Sequence, residues 1–588
     1  MNKEEIAGAL ENIARLLEIK GENPFKFRAY QKAAAAVEAY SGDLAAAARA
    51  GELASIEGVG KAIAEKIGAL VLEGKLEYYD KLKEEFPPDI LTLFEIQGLG
   101  GKKIKALYDS LQIHSLTSLE RACLNGSIAG LDGFGEKTAA NLLESLAQRK
   151  RHAGKFLLDE AGELAGVILE GLRSLNVVNL VEIAGSYRRR KPIVGDLDFI
   201  VSTKEPAKVI AWFLALPEVA RVLAHGDTKA SMVAHSGIQC DLRAVSGVEF
   251  PFALCYFTGS KEHNVKLRTR ALQRGWTLNE YRMARVGGDK PSRSLPEINS
   301  ELDLYRALDL DFIPPELRED RGEFEAAESG ELPDLIEWTN LRGAFHNHTT
   351  ASDGRASLEQ MAGAAHDLGL EYLGIADHSK SSVQANGLNE DQLLAQREQI
   401  HKFNAASTGD FQLFSGVECD IRKDGSLDFS DEILAQLDYC VISVHSAFSM
   451  DQAAMTKRIV RAMQNPYATM LGHLTGRLLL SREPYAVDIP AILEAAAETH
   501  TIIELNANPR RLDLDWSWWP LAKEKGVLCS INPDAHSVQG LAFLRIGSDV
   551  ARKGWLTKRD VLNTLPLSKI SEAISAKRKH LQKTGPQA

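Results

Sequence analysis

The spacing of apolar positions changes three times along the chain. Through about residue 150 they recur at helical intervals, in short runs broken by glycine-marked turns, which predicts a bundle of short helices. Strand-like runs follow, the clearest being Asp196-Leu197-Asp198-Phe199-Ile200 and Ile238-Gln239-Cys240-Asp241-Leu242-Arg243. Residues 314 to 338, opening with Pro314-Pro315-Glu316-Leu317-Arg318-Glu319-Asp320-Arg321, hold few apolar positions and many charges, and predict a linker. Beyond it, apolar runs of strand length alternate with amphipathic helices, the signature of a βα-repeat architecture.

Three turns in the helical region share one form, apolar-x-Gly-apolar-Gly followed by a lysine-containing helix start. They are Ile56-Glu57-Gly58-Val59-Gly60, Ile96-Gln97-Gly98-Leu99-Gly100 and Leu131-Asp132-Gly133-Phe134-Gly135. Paired glycines permit close backbone approach, and a helix start turns its free amides outward, so each turn can cradle a phosphate without reading sequence. This matters because the 588-residue chain carries a net charge of −11. A nucleic-acid-binding protein is expected to show a basic footprint. Here amides, helix dipoles and a few lysines (Lys61, Lys102, Lys103, Lys137) supply it locally.

Length predicts three to five domains. Hydrophobic content of 45% and charged content of 25% are those of a soluble globular protein. The charged start, Met1-Asn2-Lys3-Glu4-Glu5-Ile6, reads as neither signal peptide nor membrane span. The cysteines (123, 240, 255, 419, 440, 529) are scattered without a CxxC pair, and read as small buried residues in a reducing cytoplasm.

Two groups of residues carry chemistry. Asp196 and Asp198 stand two apart on a strand, so both carboxylates leave the same face, and Asp241 offers a third from another strand. Adjacent carboxylates repel unless a cation lies between them, and hard oxygen ligands suit magnesium. Upstream, Gly185 and Ser186 offer amides, and Arg188 and Arg189 fixed charge, to phosphate oxygens. In the last third, strand candidates end in metal-type residues: His346 and His348, Asp377-His378, Glu418, His445, His473, and Asp534 with His536. In βα barrels the strand C-termini gather at one mouth. Imidazole with carboxylate suits zinc, manganese or iron, and sites with several ions clamp phosphate esters.

The GS-x-RR…GD-x-D…D pattern resembles the nucleotidyltransferase palm of family-X DNA polymerases, the group that includes polymerase beta. Tyr256-Phe257-Thr258-Gly259-Ser260, His263-Asn264-Val265-Lys266-Leu267-Arg268 and Gly275-Trp276-Thr277-Leu278-Asn279-Glu280-Tyr281 repeat the resemblance in the family's order. The glycine turns resemble helix-hairpin-helix motifs. His346-Asn347-His348-Thr349-Thr350-Ala351-Ser352-Asp353-Gly354, the DHS at 377–379 and Asn532-Pro533-Asp534-Ala535-His536-Ser537 resemble the PHP phosphoesterases found fused to bacterial family-X enzymes.

These resemblances imply a multidomain chain: a helical helix-hairpin-helix N-terminal region, an α+β nucleotidyltransferase palm with thumb, and a C-terminal α/β distorted βα-barrel. The implied extents are a lyase-like domain 1–85, fingers 86–152, palm 153–253, thumb 254–318, linker 319–338, PHP domain 339–575 and a solvated basic tail 576–588. By the same resemblance Asp196, Asp198 and Asp241 hold two magnesium ions, and Gly185, Ser186 and Arg189 grip the triphosphate. Tyr256, Phe257 and Gly259 wall the sugar, and Asn264 and Arg268 touch the nascent pair and template. Gly58, Gly60, Gly98, Gly100, Gly133 and Gly135 contact DNA. The PHP ligand positions fall on His346, His348, Asp353, His378, Glu418, His445, His473, Asp534 and His536, implying three manganese or zinc ions and a 3′–5′ exonuclease with abasic-site or 3′-phosphate processing. Many members carry Asp where this chain has Ala344, which weakens the expected nuclease. Glu504 and Asn506 read as outer supports of the ligands.

The implied substrates are gapped or nicked duplex DNA and deoxynucleoside triphosphates, handled by a cytoplasmic, nucleoid-associated monomer in base excision repair. Lys66, on the edge of the Ile63/Ile67/Leu70 stripe, can be partly desolvated and so act as an amine nucleophile. It aligns with the family's Schiff-base lysine and Lys26 with a 5′-phosphate contact. Another phosphate-contacting lysine of the family falls on Ala62, beside Lys61. Three rivals remain open at this stage: a template-independent nucleotidyltransferase, a phosphoesterase with an idle palm, and a DNA-end scaffold with an inactive barrel.

Overall fold

The N-terminal helices bury one stripe each. Ile6, Leu10, Ile13 and Leu17 of the helix Lys3–Lys20 meet Ala33, Ala34 and Val37 of the helix Pro24–Ala39 in one apolar core. In this computed structural model residues 1, 3–40, 43–56, 58–96, 98–131, 133–286, 295–407 and 409–584 are described. The chain divides into two units, Met1–Ala153 and Gly154–Ala588. Glu57, Gln97, Asp132 and the last four residues of the expected tail lie outside the described residues.

In the first unit all three glycine turns have one construction. Gly58, Gly98 and Gly133 take φ of +90°, +88° and +81°, which side-chain-bearing residues avoid. The apolar residue between the glycines (Val59, Leu99, Phe134) is buried and pins the turn to the core. Gly60, Gly100 and Gly135 are then extended N-caps of the helices Lys61–Glu73, Gly101–Leu111 and Glu136–His152, and none has a side-chain cap.

In the second unit a five-stranded sheet runs in the order Val178–Ile183, Asp196–Thr203, Gln239–Val245, Lys229–Ala234, Val219–His225. Alternation decides its two faces. Leu197, Phe199, Val201, Cys240 and Leu242 pack against Ala161, Ala165 and Ile168 of the helix Leu158–Ser174 and Val209, Ile210 and Phe213 of the helix Pro206–Leu214. Asp196, Asp198 and Asp241 are therefore turned to the opposite face. The helices Phe250–Thr258, Lys261–Gln273 and Glu301–Ala307 follow, with their own core.

The expected linker at 319–338 is corrected. That third core continues through Phe324 and Ala327 of the helix Glu323–Ser329 to Leu335. Glu323 is fully buried and accepts a 2.8 Å bond from His263 Nδ1, while His263 Nε2 meets the Tyr305 hydroxyl. Charge density misled the sequence reading because these charges face each other rather than water.

The C-terminal region is a parallel array. Gly343–Ala344, Tyr372–Ile375 and Gln412–Ser415 form one sheet; Glu418–Asp420, Val441–Ser443, Met470–Leu471, Ile502–Asn506 and Cys529–Asn532 form the other. Parallel bridges His378↔Glu418 and Asn347↔Ala535 join the two sheets on both sides, so the strand ends converge on one mouth. The expected solvated tail is also corrected. A single helix, Leu567–Thr584, crosses the 575/576 boundary. Its Lys577 is buried and donates to Met463 O, Ala468 O and Thr501 Oγ1 at 2.6, 2.6 and 2.7 Å. Ala344 lies in the apolar core.

Candidate active sites

The first site lies on the open face of the antiparallel–parallel sheet. Asp198 and Asp241 are register partners on adjacent parallel strands, and Asp196 is two residues back on the same face. Their convergence shows in their acidity. Burial, then the neighbouring carboxylates of Asp196 and Asp241, pushes Asp198 up to about 7; burial and Asp241 push Asp196 up as well. Carboxylates so placed fit a divalent cation better than they fit each other. Asp241 is aimed by two residues the sequence did not single out: Ser231 Oγ donates to Oδ1, and Gln239 Nε2 donates to Oδ2 at 2.7 Å. A cleft of about 210 Å³ beside them is lined by Asp198, Lys229, Gln239, Asp241, Arg243 and Phe257.

Gly185 closes one end of this site. Its φ is +65°, and a Cβ there would stand 2.4 Å from Asp198 Oδ2. Ser186 follows it in the one-turn helix Gly185–Arg188. Arg188 and Arg189 are already engaged, contrary to the expectation of two charges standing ready for phosphate. Arg188 forms a two-pronged pair with Glu301, at 3.0 and 2.6 Å, and bonds Thr258 Oγ1 at 2.7 Å. Arg189 donates through Nε to Glu319 at 3.0 Å and through Nη1 to Thr258 O. Gly259, with φ +71°, sits beside Arg189: a Cβ on it would be 3.1 Å from Nη1. The rings of Tyr256 and Phe257 meet edge-on at 5.2 Å, and the Arg243 guanidinium covers Phe257 at 4.4 Å. Asn264 donates to Tyr256 O at 2.7 Å and Arg268 to Asn264 O at 3.3 Å, so in this state both side chains bond within the protein.

The second site is at the barrel mouth. The nine His, Asp and Glu residues singled out from the sequence form four overlapping clusters whose ligand atoms lie within 4.8 Å of one another. These are His348/Asp353/His378/His536, His346/Glu418/His473, His346/His348/Asp534 and His378/Glu418/His445. Glu418 is the hub, its carboxylate within 4 Å of His346, His348, His378, His445 and His473. The chemistry of the donor set fits metal. His346 Nε2, both nitrogens of His348, His473 Nδ1 and Glu418 Oε2 are buried with no hydrogen-bond partner, and such orphans are costly unless a cation satisfies them. Outer partners aim the ligands. His346 Nδ1 meets Glu504 Oε1 at 2.7 Å, and His445 Nδ1 meets Asp420 Oδ1 at 2.7 Å. Asn506 Nδ2 donates to Asp534 Oδ2 at 3.0 Å, and Arg511 Nε stands 3.3 Å from the same oxygen.

In the first unit, Lys66 is half-buried with its amine over the rings of Tyr78 (4.9 Å) and Tyr30 (5.7 Å), and 3.3 Å from Ala62 O. Lys26 pairs with Glu22 at 3.1 Å.

Comparison with known proteins agrees with this division. Residues 1–76 match the helix-hairpin-helix domain, 90–148 the SAM-like helix-hairpin-helix tandem, 253–319 the DNA polymerase beta thumb and 344–508 the PHP domain. The DNA polymerase/3′-5′ exonuclease PolX of Bacillus subtilis (strain 168) is 37% identical over 97% of this chain and 99% of its own length. The chain belongs to the family-X DNA polymerases that carry a PHP domain. Its two halves also have separate relatives. A probable phosphatase of Thermoanaerobacter sp. (strain X514) is 27% identical over 40% of this chain and 95% of its own. Rat DNA polymerase lambda is 24% identical over 53% of this chain and 56% of its own. As a family-X polymerase with an attached exonuclease domain, the protein depends on metal and acts on DNA. Among the described residues no helix is long and apolar enough to cross a membrane.

What sequence reasoning missed here are the aiming residues Ser231, Gln239, Asp420 and Arg511. Asp420 and Gln239 had a local signal, since Asp420 stands two beyond Glu418 and Gln239 two before Asp241 on one strand, and each so shares its neighbour's face. The others are joined to the ligands only by the fold.

Proposed function

We propose that the protein fills short gaps in nicked or gapped duplex DNA during base excision repair and trims 3′ ends at its second site, working as a monomer in the cytoplasm. The observation that supports this best is one chain presenting two separate sites: an in-register carboxylate triad beside a positive-φ glycine turn, and a nine-residue imidazole–carboxylate cluster. At the first, Asp196, Asp198 and Asp241 would hold two magnesium ions. The Gly185 and Ser186 amides and the Arg189 guanidinium would hold the triphosphate, with Tyr256, Phe257 and Gly259 against the sugar. Asn264 and Arg268 would leave their internal bonds for the base pair and template. The primer 3′-hydroxyl would release its proton to solvent as its oxygen bonds to the α-phosphorus, the bond from that phosphorus to the bridging oxygen breaking and pyrophosphate leaving.

At the second, the nine ligands would hold three manganese or zinc ions, with Glu504 and Asp420 fixing imidazole orientation. When bound, the ions at either site neutralise charge developing on phosphate oxygens and activate the attacking oxygen. The uncapped amides after Gly60, Gly100 and Gly135 would bind DNA phosphates without sequence preference, with Gly58, Gly98 and Gly133 setting the turn. A 5′-deoxyribose-phosphate lyase at Lys66, with Lys26 on the 5′-phosphate, is the further activity, supported by the half-buried place of Lys66 beside the Ile63/Ile67/Leu70 stripe.

The test is extension and degradation of a 5′-labelled primer in a gapped duplex, in magnesium and separately in manganese. The reading expects gap-limited extension with deoxynucleotides and 3′ shortening without them. Binding without either reaction supports a scaffold instead.

A further inference from the structure

The helix Phe543–Lys553 belongs to the barrel, yet its last turns meet charged partners from the polymerase half. Arg552 pairs with Glu316 at 2.7 Å and Asp549 with Arg190 at 3.4 Å. Lys553 goes further in. It is fully buried, and its ammonium bonds Glu319 Oε1 at 2.6 Å, Arg189 O at 2.9 Å and Glu316 O at 3.2 Å, over the Trp516 ring at 4.4 Å. Burying an ammonium this completely is costly, and here a carboxylate answers the charge.

The answer is shared. Glu319 receives Lys553, Arg189 (3.0 Å) and Lys191 (3.1 Å) together, one carboxylate for three cations, an excess of two positive charges. Burial alone raises a carboxyl, but the Lys553 and Arg189 charges bring Glu319 down to about 2. Burial, against the pull of Glu319, brings the Lys553 amine down to about 8. Arg189 is thereby fixed at three points: Nε by Glu319, Nη1 by Thr258 O, and its own carbonyl by Lys553. The uncompensated positive charge lies in the segment that begins with Gly185 and Ser186, where a polyanion would balance it.

We propose that Lys553 of the PHP domain is a positioning residue for the polymerase reaction: through Glu319 and the Arg189 carbonyl it sets the Arg189 guanidinium for the triphosphate of the incoming nucleotide. The polymerase's nucleotide site is thus completed by the nuclease domain. This rests on the reading that Arg189 grips the triphosphate.

The experiment uses the full-length enzyme and single-nucleotide gap filling. Lys553→Met is expected to raise the KM for the deoxynucleotide by about 5-fold or more while kcat changes less than about 2-fold, because binding orientation rather than the reacting atoms is altered. Exonuclease activity on single-stranded DNA stays within about 2-fold of wild type, since none of the nine barrel ligands is touched. Combined with Glu319→Gln, Lys553→Met adds less than it does alone, because the two share the Glu319 carboxylate and differ only in the Arg189 carbonyl contact. Arg189→Ala separates the two ideas. If its nucleotide KM is unchanged, the triphosphate reading itself fails. If it rises while a folded Lys553→Met enzyme keeps a wild-type KM, or loses both activities in parallel, the positioning role is overturned. Should Lys553→Met not yield folded protein, Glu319→Gln carries the same KM test alone, with the same outcomes.

Discussion

At the scale of single residues, this chain is legible where one side chain's chemistry is tied to a short spacing. Asp196 and Asp198 share a face because strands alternate, and the six histidines proposed as ligands stand after strands because barrels gather strand ends. What a side chain is already bonded to was not legible. Arg188 and Arg189 looked alike in sequence, yet Glu301 and Glu319 arrive from more than a hundred residues away to occupy them.

Three predictions belong at this scale. His346→Ala or His378→Ala should lower bound metal, read by elemental analysis of purified protein, and cut 3′ degradation by about 100-fold or more, as loss of a directly bonded ligand does. Stripping metal from the wild type should lower the melting temperature, because the orphan imidazoles and Glu418 oxygen lose their partner. Unchanged metal content in both variants would show that these histidines are not ligands. Lys66, seated over Tyr78 and Tyr30, should form an imine with an incised abasic duplex. Borohydride should then trap a covalent adduct that Lys66→Ala loses; a variant that traps as well as wild type removes Lys66 as the nucleophile.

At the scale of elements, periodicity located the helices and the strand ends, and the glycine turns have a single geometry at all three repeats. The misread segments are those in which charge is buried. Residues 319–338 close the thumb core through Glu323 and His263, and the C-terminal helix anchors the barrel through Lys577; charge density is a poor guide where partners come from distant sequence.

The buried Glu301, held by Arg318 (2.7 Å) and Arg188, gives the thumb an acid dependence. Burial opposes its ionisation, but the Arg318 charge and the Arg188 hydrogen bond bring it down to about 2 from 4.5. A depressed carboxyl stabilises the fold fully above its unfolded value, and that stability drains away as pH falls from about 4.5 towards 2, by on the order of 3 kcal/mol. Amide-exchange protection of the thumb helices, corrected for intrinsic rates, should fall across that window. Glu301→Gln should start lower and fall less steeply. An equal slope in the variant would place the acid sensitivity elsewhere.

At the scale of the whole molecule, the account rests on two reactions run by two sites in one chain. The carboxylate triad and the barrel cluster use different strands and different cores, with carboxylates alone at the first and imidazoles mixed with carboxylates at the second. The sequence singled out the residues of both clusters, because each has its own motif; it could not show that the helix Phe543–Lys553 ties the two regions together, because ion pairs such as Arg552–Glu316 have no local pattern.

The most direct measurement is a reciprocal one. Extension and degradation of the same gapped duplex are followed for wild type, Asp198→Ala and His346→Ala. Asp198→Ala should lose extension by about 1,000-fold or more, since the carboxylate paired with Asp241 is gone, and keep degradation within about 2-fold. His346→Ala should show the reverse. Loss of both reactions in either folded variant, or loss of neither, would contradict the two-site account.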